Sequence, residues 1–175
     1  PGENSVRVWT LLVTLANAVI SLPLFTRFNP TSALYQFAEH HPWIASFNVN
    51  YTLGVDGISL LLVMMTTLIM PLCVLGSWKY IQKRVKEFMI CLLVMETSML
   101  GVFMALDLVL FYVLWEAMLI PMYLLIAVWG GPRKSYASIK FFLYTVTGSR
   151  FLVGATVALY TSQGTLNIPA LIGHH

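Results

Sequence analysis

The run of residues 107–132, DLVLFYVLWEAMLIPMYLLIAVWGGP, constrains the fold of this chain more than any other stretch. About 20 apolar residues cross a hydrocarbon core roughly 30 Å thick as a helix, so this run is long enough to span a bilayer. Glu116 lies near its middle and Pro121 follows. A carboxylate at that depth is costly unless it faces a protein interior or a water path, and proline removes one backbone donor beside it. The run therefore indicates a functional membrane helix rather than a simple anchor.

Four further apolar stretches accompany this run, and the whole chain is 58% hydrophobic and only 10% charged. Soluble domains carry about 25% charged residues, so this composition excludes an ordinary globule. We predict an all-α, polytopic transmembrane helix bundle that forms one membrane domain over residues 1–175. The predicted spans are residues 8–25, 58–78, 88–106, 108–129 and 139–160.

The chain begins without Met and ends just after a span, so we expect a piece of a longer protein. Its net charge of +3 comes from local clusters, which argues for membrane orientation and against a nucleic-acid partner. The four histidines form two adjacent pairs, and neighbours in sequence point apart on a helix. We therefore predict no metal site.

The basic residues predict the orientation of the bundle. They fall before the first span, between the second and third spans, and between the fourth and fifth spans. The residues are Arg7; Lys79, Lys83, Arg84 and Lys86; and Arg133 and Lys134. Because positively charged links stay on the cytoplasmic or matrix side, these links are predicted to be inside and residues 29–57 outside. In the outer segment we expect a short amphipathic helix at 32–40 and an extended piece at 48–53.

Four charged residues fall within the predicted spans: Glu96, Glu116, Lys140 and Arg150. Glu96 and Glu116 belong to consecutive spans with almost no link, so the two carboxylates are predicted to share the middle of the membrane on adjacent helices. A buried glutamate can also act only as a hydrogen-bonding contact between helices, and a lysine near a span end can snorkel to the surface. Arg150 lies deep enough to need a counter-charge or water, and the sequence does not choose between Glu96 and Glu116 as its partner.

Three motifs, in this order, carry a family resemblance: LGVDGISLLLVMMTTLIMPLCVLGSW at 53–78, the run at 107–132, and KFFLYTVTGS at 140–149. Over residues 51–160 the chain resembles the chain M family of proton-pumping NADH–quinone oxidoreductase, or respiratory complex I, whose mitochondrial counterpart is chain 4. These antiporter-like subunits are similar to the large subunits of multisubunit sodium/proton antiporters. The resemblance implies a bundle of about fourteen helices with two inverted repeats, of which this chain covers the second to sixth.

The resemblance also implies roles for particular residues. Glu116 matches the glutamate of the family's WE motif, which belongs to the proton-translocation pair; its partner is a lysine on the seventh helix, beyond His175. Lys140 matches the lysine of KFFLYT on the half-channel side. Asp56 is interpreted as a helix cap or interface residue, and Arg150 departs from the apolar residue expected after the GS of the third motif.

The function expected from this resemblance is that of a non-redox, proton-translocating subunit, in an enzyme complex that couples NADH oxidation and quinone reduction to proton pumping. This chain would hold no cofactor, and NADH, FMN, iron–sulfur clusters and quinone would bind elsewhere in the complex. Its partners would be other membrane-arm subunits and the lipid bilayer, in a bacterial inner membrane or a mitochondrial inner membrane. Two rivals remain: a sodium/proton antiporter subunit without redox coupling, and a membrane scaffold in which Glu116 only holds helices together.

Overall fold

Five long helices and one β-hairpin form the chain in the computed structural model, which describes residues 2–30, 32, 35–44 and 49–172. The elements in chain order are α1 (Glu3–Arg27), β1 (Gln36–Ile44), β2 (Val49–Val55), α2 (Gly57–Ser77), α3 (Val85–Met104), α4 (Leu108–Trp129), α5 (Lys134–Gln163) and the short α6 (Ile168–Ile172). Each predicted span coincides with one of α1–α5 to within five residues at either end. All five helices are long and apolar enough to cross a membrane.

Consecutive helices are antiparallel, so the bundle has two distinct ends: short links join α2 to α3, α3 to α4 and α4 to α5, and the hairpin segment joins α1 to α2. The basic end holds the start of α1 and the links 78–84 and 130–133. Arg7 donates to the carbonyl of Ile81 over 2.7 Å there, and the indole of Trp129 donates to the carbonyl of Lys83 over 2.7 Å. The hairpin end holds β1, β2, the turn at 105–107 and α6. α3 packs on α1, α2 and α4, whereas α5 packs mainly on α4.

The segment between α1 and α2 differs from the prediction at one point and agrees at another. The amphipathic helix expected at 32–40 is wrong, because β1 occupies Gln36–Ile44 and pairs antiparallel with β2; Thr31, Ala33 and Leu34 lie outside the described residues. The chain is extended where the pattern at 48–53 indicated, and β2 covers Val49–Val55. Asp56 then caps α2, since its Oδ1 accepts from the backbone N–H of Ser59 over 2.7 Å. The cap is confirmed, and the extended piece is confirmed over 49–53, while Asn48 lies outside the described residues.

Backbone hydrogen bonds tie β2 to the α3–α4 turn and to the chain after α5. The N–H of Leu106 donates to the carbonyl of Thr52 over 2.9 Å. The N–H of Leu108 donates to the carbonyl of Leu166 over 3.0 Å, and the N–H of Ile168 donates to the carbonyl of Leu106 over 2.9 Å. One hydrogen-bonded layer therefore closes the hairpin end and satisfies backbone groups where the helices stop.

The first helix places polar residues inside and apolar residues outside, the reverse of a water-soluble helix. Its buried residues are Arg7, Thr10, Thr14, Ala18 and Ser21. Its exposed side chains include Trp9, Val19, Ile20 and Phe25. Apolar side chains on the outer surface of a bundle fit a lipid environment rather than water.

The apolar core lies near the basic end, where α2 and α3 pack together. It consists of the buried residues Met70, Val74, Val85, Met89 and Leu92. Nearer the hairpin end α3 and α4 approach closely, because a Cβ on Gly101 would lie 2.7 Å from Cδ1 of Leu114. Small residues permit such close approach between membrane helices. This contact and the turn at 105–107 fix α4 against α3.

Candidate functional site

Glu116 lies on α4, eight residues after the helix begins at Leu108. That separation places it about 12 Å along the helix from the hairpin end. Its Oε1 is fully shielded, and no donor within the described residues reaches it. Pro121, one turn further along, is also buried and has no N–H to donate to the carbonyl of Ala117. A shielded carboxylate oxygen without a donor is costly, so this position is unfavourable unless a proton or a cation reaches it.

Glu96 lies on the neighbouring helix α3 and is only 2% exposed. The amide Nδ2 of Asn17, on α1, donates to its Oε1 over 2.9 Å. This bond joins α1 and α3 across 79 positions of sequence. The hydrogen-bonding contact between helices that the sequence allowed for Glu96 is therefore present, and Asn17 is its partner.

The two carboxylates lie at the same depth. Glu96 is eight residues before the end of α3 at Met104, and Glu116 is eight residues after the start of α4 at Leu108. Since both helices meet at the same short turn and rise about 1.5 Å per residue, each carboxylate is roughly 12 Å from that turn. The two carboxylates thus lie at similar distances from the α3–α4 turn on adjacent helices, and their place in the middle of the membrane stays a prediction.

Lys140 lies on α5, six residues after the helix starts at Lys134, and is exposed. Its Nζ lies 5.6 Å from the ring centre of Tyr136 and 5.8 Å from that of Tyr144. These distances allow cation–π attraction from two rings one turn to either side. Lys140 also lines a groove at the basic end together with Arg133. The structure places Lys140 on the side of the basic links and gives it no ion pair with Glu116.

Arg150 is exposed on α5, near the middle of that helix. Over the described ranges, the only ion pair within 4 Å joins Arg84 and Glu87 at the basic end. Arg150 therefore does not pair with Glu96 or Glu116. No counter-charge for Arg150 lies within 4 Å among the residues that the structure describes, because α5 packs mainly on α4 and leaves the rest of its surface open.

Two buried charged residues outside the predicted set also organise the bundle. Asp107 is fully buried; its Oδ1 accepts from the N–H of Val109 over 2.9 Å and of Leu110 over 3.3 Å, and its Oδ2 accepts from the N–H of Asn50 over 3.4 Å. The sequence signal was available, since an Asp directly before an apolar run is a helix-cap pattern. Arg7 is 5% exposed, and its Nε has no acceptor within the part of the chain that the structure describes. No pattern in the sequence distinguished Arg7 from a surface base.

The arrangement offers proton-binding chemistry at two carboxylates and basic groups at one end of the bundle. No group of three or more His, Cys, Asp or Glu side chains among residues 2–30, 32, 35–44 and 49–172 is placed to hold a metal ion. Glu116 and Glu96 differ in their hydrogen bonding. The shielded Oε1 of Glu116 has no donor among the described residues, whereas Oε1 of Glu96 accepts a hydrogen bond from Asn17.

Two family profiles match consecutive parts of the chain. A profile described as NADH-ubiquinone oxidoreductase chain 4, amino terminus, matches residues 4–102. A profile described as NADH:quinone oxidoreductase/Mrp antiporter, transmembrane, matches residues 105–175. The first match ends at residue 102, near the end of α3, and the second begins at residue 105, so Glu96 falls in the first match and Glu116 in the second.

Curated relatives match almost the whole chain. It is 49% identical to NADH-quinone oxidoreductase subunit M of Rhodobacter capsulatus, over 98% of this chain and 33% of that protein. It is 39% identical to NADH-ubiquinone oxidoreductase chain 4 of Chondrus crispus, over 97% of this chain and 35% of that protein. The chain thus spans about a third of the length of these relatives.

Solved structures share the fold. A chain of respiratory complex I from Thermus thermophilus with bound NADH superposes with a TM-score of 0.84 at 29% identity, over 96% of this chain and 35% of that one. A chain of the Mrp complex from Dietzia superposes with a TM-score of 0.70 at 21% identity, over 92% of this chain and 20% of that one. The second likeness concerns the fold alone.

Proposed function

The chain belongs to the family of NADH-ubiquinone oxidoreductase chain 4 and its bacterial counterpart subunit M, and from this membership we propose that it translocates protons in the membrane arm of an NADH–quinone oxidoreductase. It is an antiporter-like membrane subunit with five apolar helices. Its partners in this proposal are other membrane-arm subunits. NADH, FMN, iron–sulfur clusters and quinone act elsewhere in the complex, and this chain has no redox step of its own.

Glu116 is the proton-binding group in this proposal, and its shielded, donor-less Oε1 is the observation that carries it. A cation that moves close to a carboxyl group favours its ionised form, and withdrawal of that cation favours the protonated form. Redox energy released elsewhere would move such a charge along the membrane arm. Glu116 would then bind a proton when the charge withdraws and release it when the charge approaches.

Lys140 serves as the basic group on the path between Glu116 and the basic end. It lies beside the groove lined by Arg133 and is held between Tyr136 and Tyr144. A lysine that exchanges a proton with water at this end can pass charge toward the bundle without any cofactor. Arg150, exposed on the same helix, is available to a neighbouring helix or subunit and has no role in this path.

The test is the substitution Glu116→Gln in the assembled complex, with proton pumping and NADH oxidation measured in the same membranes. Gln keeps the size and hydrogen-bonding capacity of Glu but does not titrate, so we expect both activities to fall by roughly a hundredfold while assembly is retained. Glu39→Gln is the matched control, because Glu39 is exposed on β1, away from the helices. Retention of both activities in Glu116→Gln would overturn the proposal and leave Glu116 as a packing residue.

The rival antiporter function gives a different result in the same experiment. If the chain exchanged sodium for protons without a redox partner, Glu116→Gln would abolish exchange and leave NADH oxidation unchanged. We retain this alternative because the chain shares its fold with a chain of an Mrp complex, although that likeness concerns the fold alone. The subunit M and chain 4 relatives favour the redox-coupled complex.

A further inference from the structure

The inner face of α1 carries a continuous row of polar side chains. They recur at intervals of three and four residues, which places them on one face of a helix: Arg7, Thr10, Thr14, Asn17 and Ser21. The row begins at the basic end and reaches past the middle of the bundle. A lipid-facing or merely packing helix needs no such row, because apolar residues fill a helix interface equally well.

The hydroxyl groups of the row keep free acceptor positions. Thr10 donates to the carbonyl of Val6 over 2.9 Å, and Thr14 donates to that of Leu11 over 3.0 Å. A hydroxyl that donates its single hydrogen along its own helix still has lone pairs that can accept from water or a neighbouring donor. Thr14 is fully buried, so these lone pairs face the interior between α1, α2 and α3.

Buried charged groups lie at two points of the row. Glu96, which is 98% shielded, meets the row at Asn17 and has no Lys, Arg or His nitrogen within 4 Å over the described residues. A buried carboxylate without a cation is stabilised by taking up a proton. At the basic end of the same row, Arg7 is 95% shielded and leaves its Nε without an acceptor in the described part of the chain.

Glu96 is the charged residue at its level of the interface of α1, α2 and α3, because the other charged groups of the surrounding elements lie at other places. α1 carries charges only near its ends, at Glu3, Arg7 and Arg27, and neither α2 nor β2 carries any. α4 contributes Glu116 at the same depth. No cation of the neighbouring helices lies at the level of Glu96.

We propose that Glu96 is a second proton-binding site, distinct from Glu116, which exchanges its proton with the aqueous phase at the basic end along the polar face of α1. The proton leaves a water or hydronium at that end, passes along waters that hydrogen-bond to the row, and forms an O–H bond at Glu96. It returns by reversal of the same steps. Asn17 is a positioning residue, because its amide holds one carboxyl oxygen toward α1. This inference rests on the proposed function, since it gives the same subunit a second proton site.

The first test is Glu96→Gln in the assembled complex, with Glu116→Gln beside it. Gln preserves the volume and can still accept from Asn17, so we expect normal assembly and a fall of roughly tenfold to a hundredfold in proton pumping. Infrared difference spectra should also lose the band of one protonated carboxyl group. Normal pumping together with an unchanged carboxyl band would overturn the proposal.

The second test removes a hydroxyl from the row and leaves Glu96 in place. Thr14→Val keeps the shape of a buried side chain but removes its acceptor, and Thr97→Val is the matched control. Thr97 is exposed on α3, and it too donates to its own helix, over 2.9 Å to the carbonyl of Leu93. We expect slower pumping in Thr14→Val alone, with a larger solvent deuterium effect. Equal pumping in the two variants would overturn the path along α1. If the Glu96→Gln complex does not assemble, this second test alone decides the proposal.

The two variants also separate this inference from the function on which it rests. Loss of pumping in Glu116→Gln with full pumping in Glu96→Gln would overturn only the second site. Full pumping in both variants would overturn the proposed function itself. Loss in both, with Thr97→Val unaffected, supports both proposals.

Discussion

Glu96 and Glu116 occupy the same depth on adjacent helices, yet the surrounding structure treats them differently. Glu96 faces a closed interface of α1, α2 and α3 and accepts a hydrogen bond from Asn17. Glu116 lies in the more open part formed by α4 and α5, where one shielded oxygen receives no donor. α4 and α5 also bury few residues of their own. Depth alone therefore does not define the chemistry of a membrane carboxylate; the neighbouring helix decides it.

The common depth of Glu96 and Glu116 depends first on Asp107, which holds the α3–α4 turn in place. Asp107→Ala would remove the acceptor for the N–H groups of Val109, Leu110 and Asn50 inside a fully buried layer. We expect a loss of about 2–4 kcal/mol in stability, because a helix cap is lost and buried donors are left without partners. This loss of stability is measured by the amount of assembled complex on native gels.

Asp56→Ala is the control for the cap at Asp107. Asp56 caps α2 with a single bond to Ser59 and is partly exposed, so its loss should cost only about 1 kcal/mol. If both substitutions reduced assembly equally, Asp107 would be an ordinary cap, and the common depth of the two glutamates would not depend on it.

The second prediction compares the contributions of the two carboxylates to stability. Glu96→Leu should destabilise the subunit by about 1 kcal/mol, because the amide of Asn17 loses its acceptor inside the bundle. Glu116→Leu should be neutral or stabilising, because it removes an oxygen that has no donor. Thermal dissociation of this chain from the detergent-solubilised complex measures both.

A double substitution provides the control for this comparison. Adding Asn17→Leu to Glu96→Leu should recover most of the lost stability, since no amide is then left unpaired. Destabilisation by Glu116→Leu equal to that of Glu96→Leu would show that the two sites are equivalent, and the contrast between closed and open halves would fail.

The smallest effect is expected at Arg150. Arg150→Leu should change stability by no more than about 0.5 kcal/mol, because the side chain is exposed and pairs with neither carboxylate. Arg7→Leu is the contrasting variant, because Arg7 is buried and donates to the carbonyl of Ile81. The same thermal dissociation measurement applies. A large loss in Arg150→Leu would mean that Arg150 has a partner in the assembled complex, either a carboxylate of this chain or a group of a neighbouring subunit.

The sequence was sufficient to predict the elements that follow from length, composition and the position of a residue along the chain. Length and apolar composition located all five helices, and the short link after Met104 made Glu96 and Glu116 neighbours at one depth. The family resemblance implied a helix cap or an interface residue at Asp56, and the cap is present. These features depend on local chain chemistry, which a single sequence records.

The remaining features depend on contacts between distant parts of the chain. The bond between Asn17 and Glu96 joins positions 79 apart, and nothing in either span indicates which face meets the other. β1 was mistaken for a helix because its pairing with β2, rather than its own pattern, determines its conformation. Arg150 was expected to need a counter-charge or water because its depth was considered without the packing of α5.

The reversed polarity of α1 bears on how the chain enters its membrane during synthesis. A ribosome delivers α1 before α2 and α3, and at that moment the interface with these two helices that buries Thr10 and Thr14 does not yet exist. Released alone, the helix would present this row to hydrocarbon, where polar side chains pack poorly unless a neighbouring helix receives them. We therefore expect α1 to remain beside the insertion machinery until α2 emerges, so that the two leave as a pair, with Ser21 and Thr67 joined over 2.9 Å.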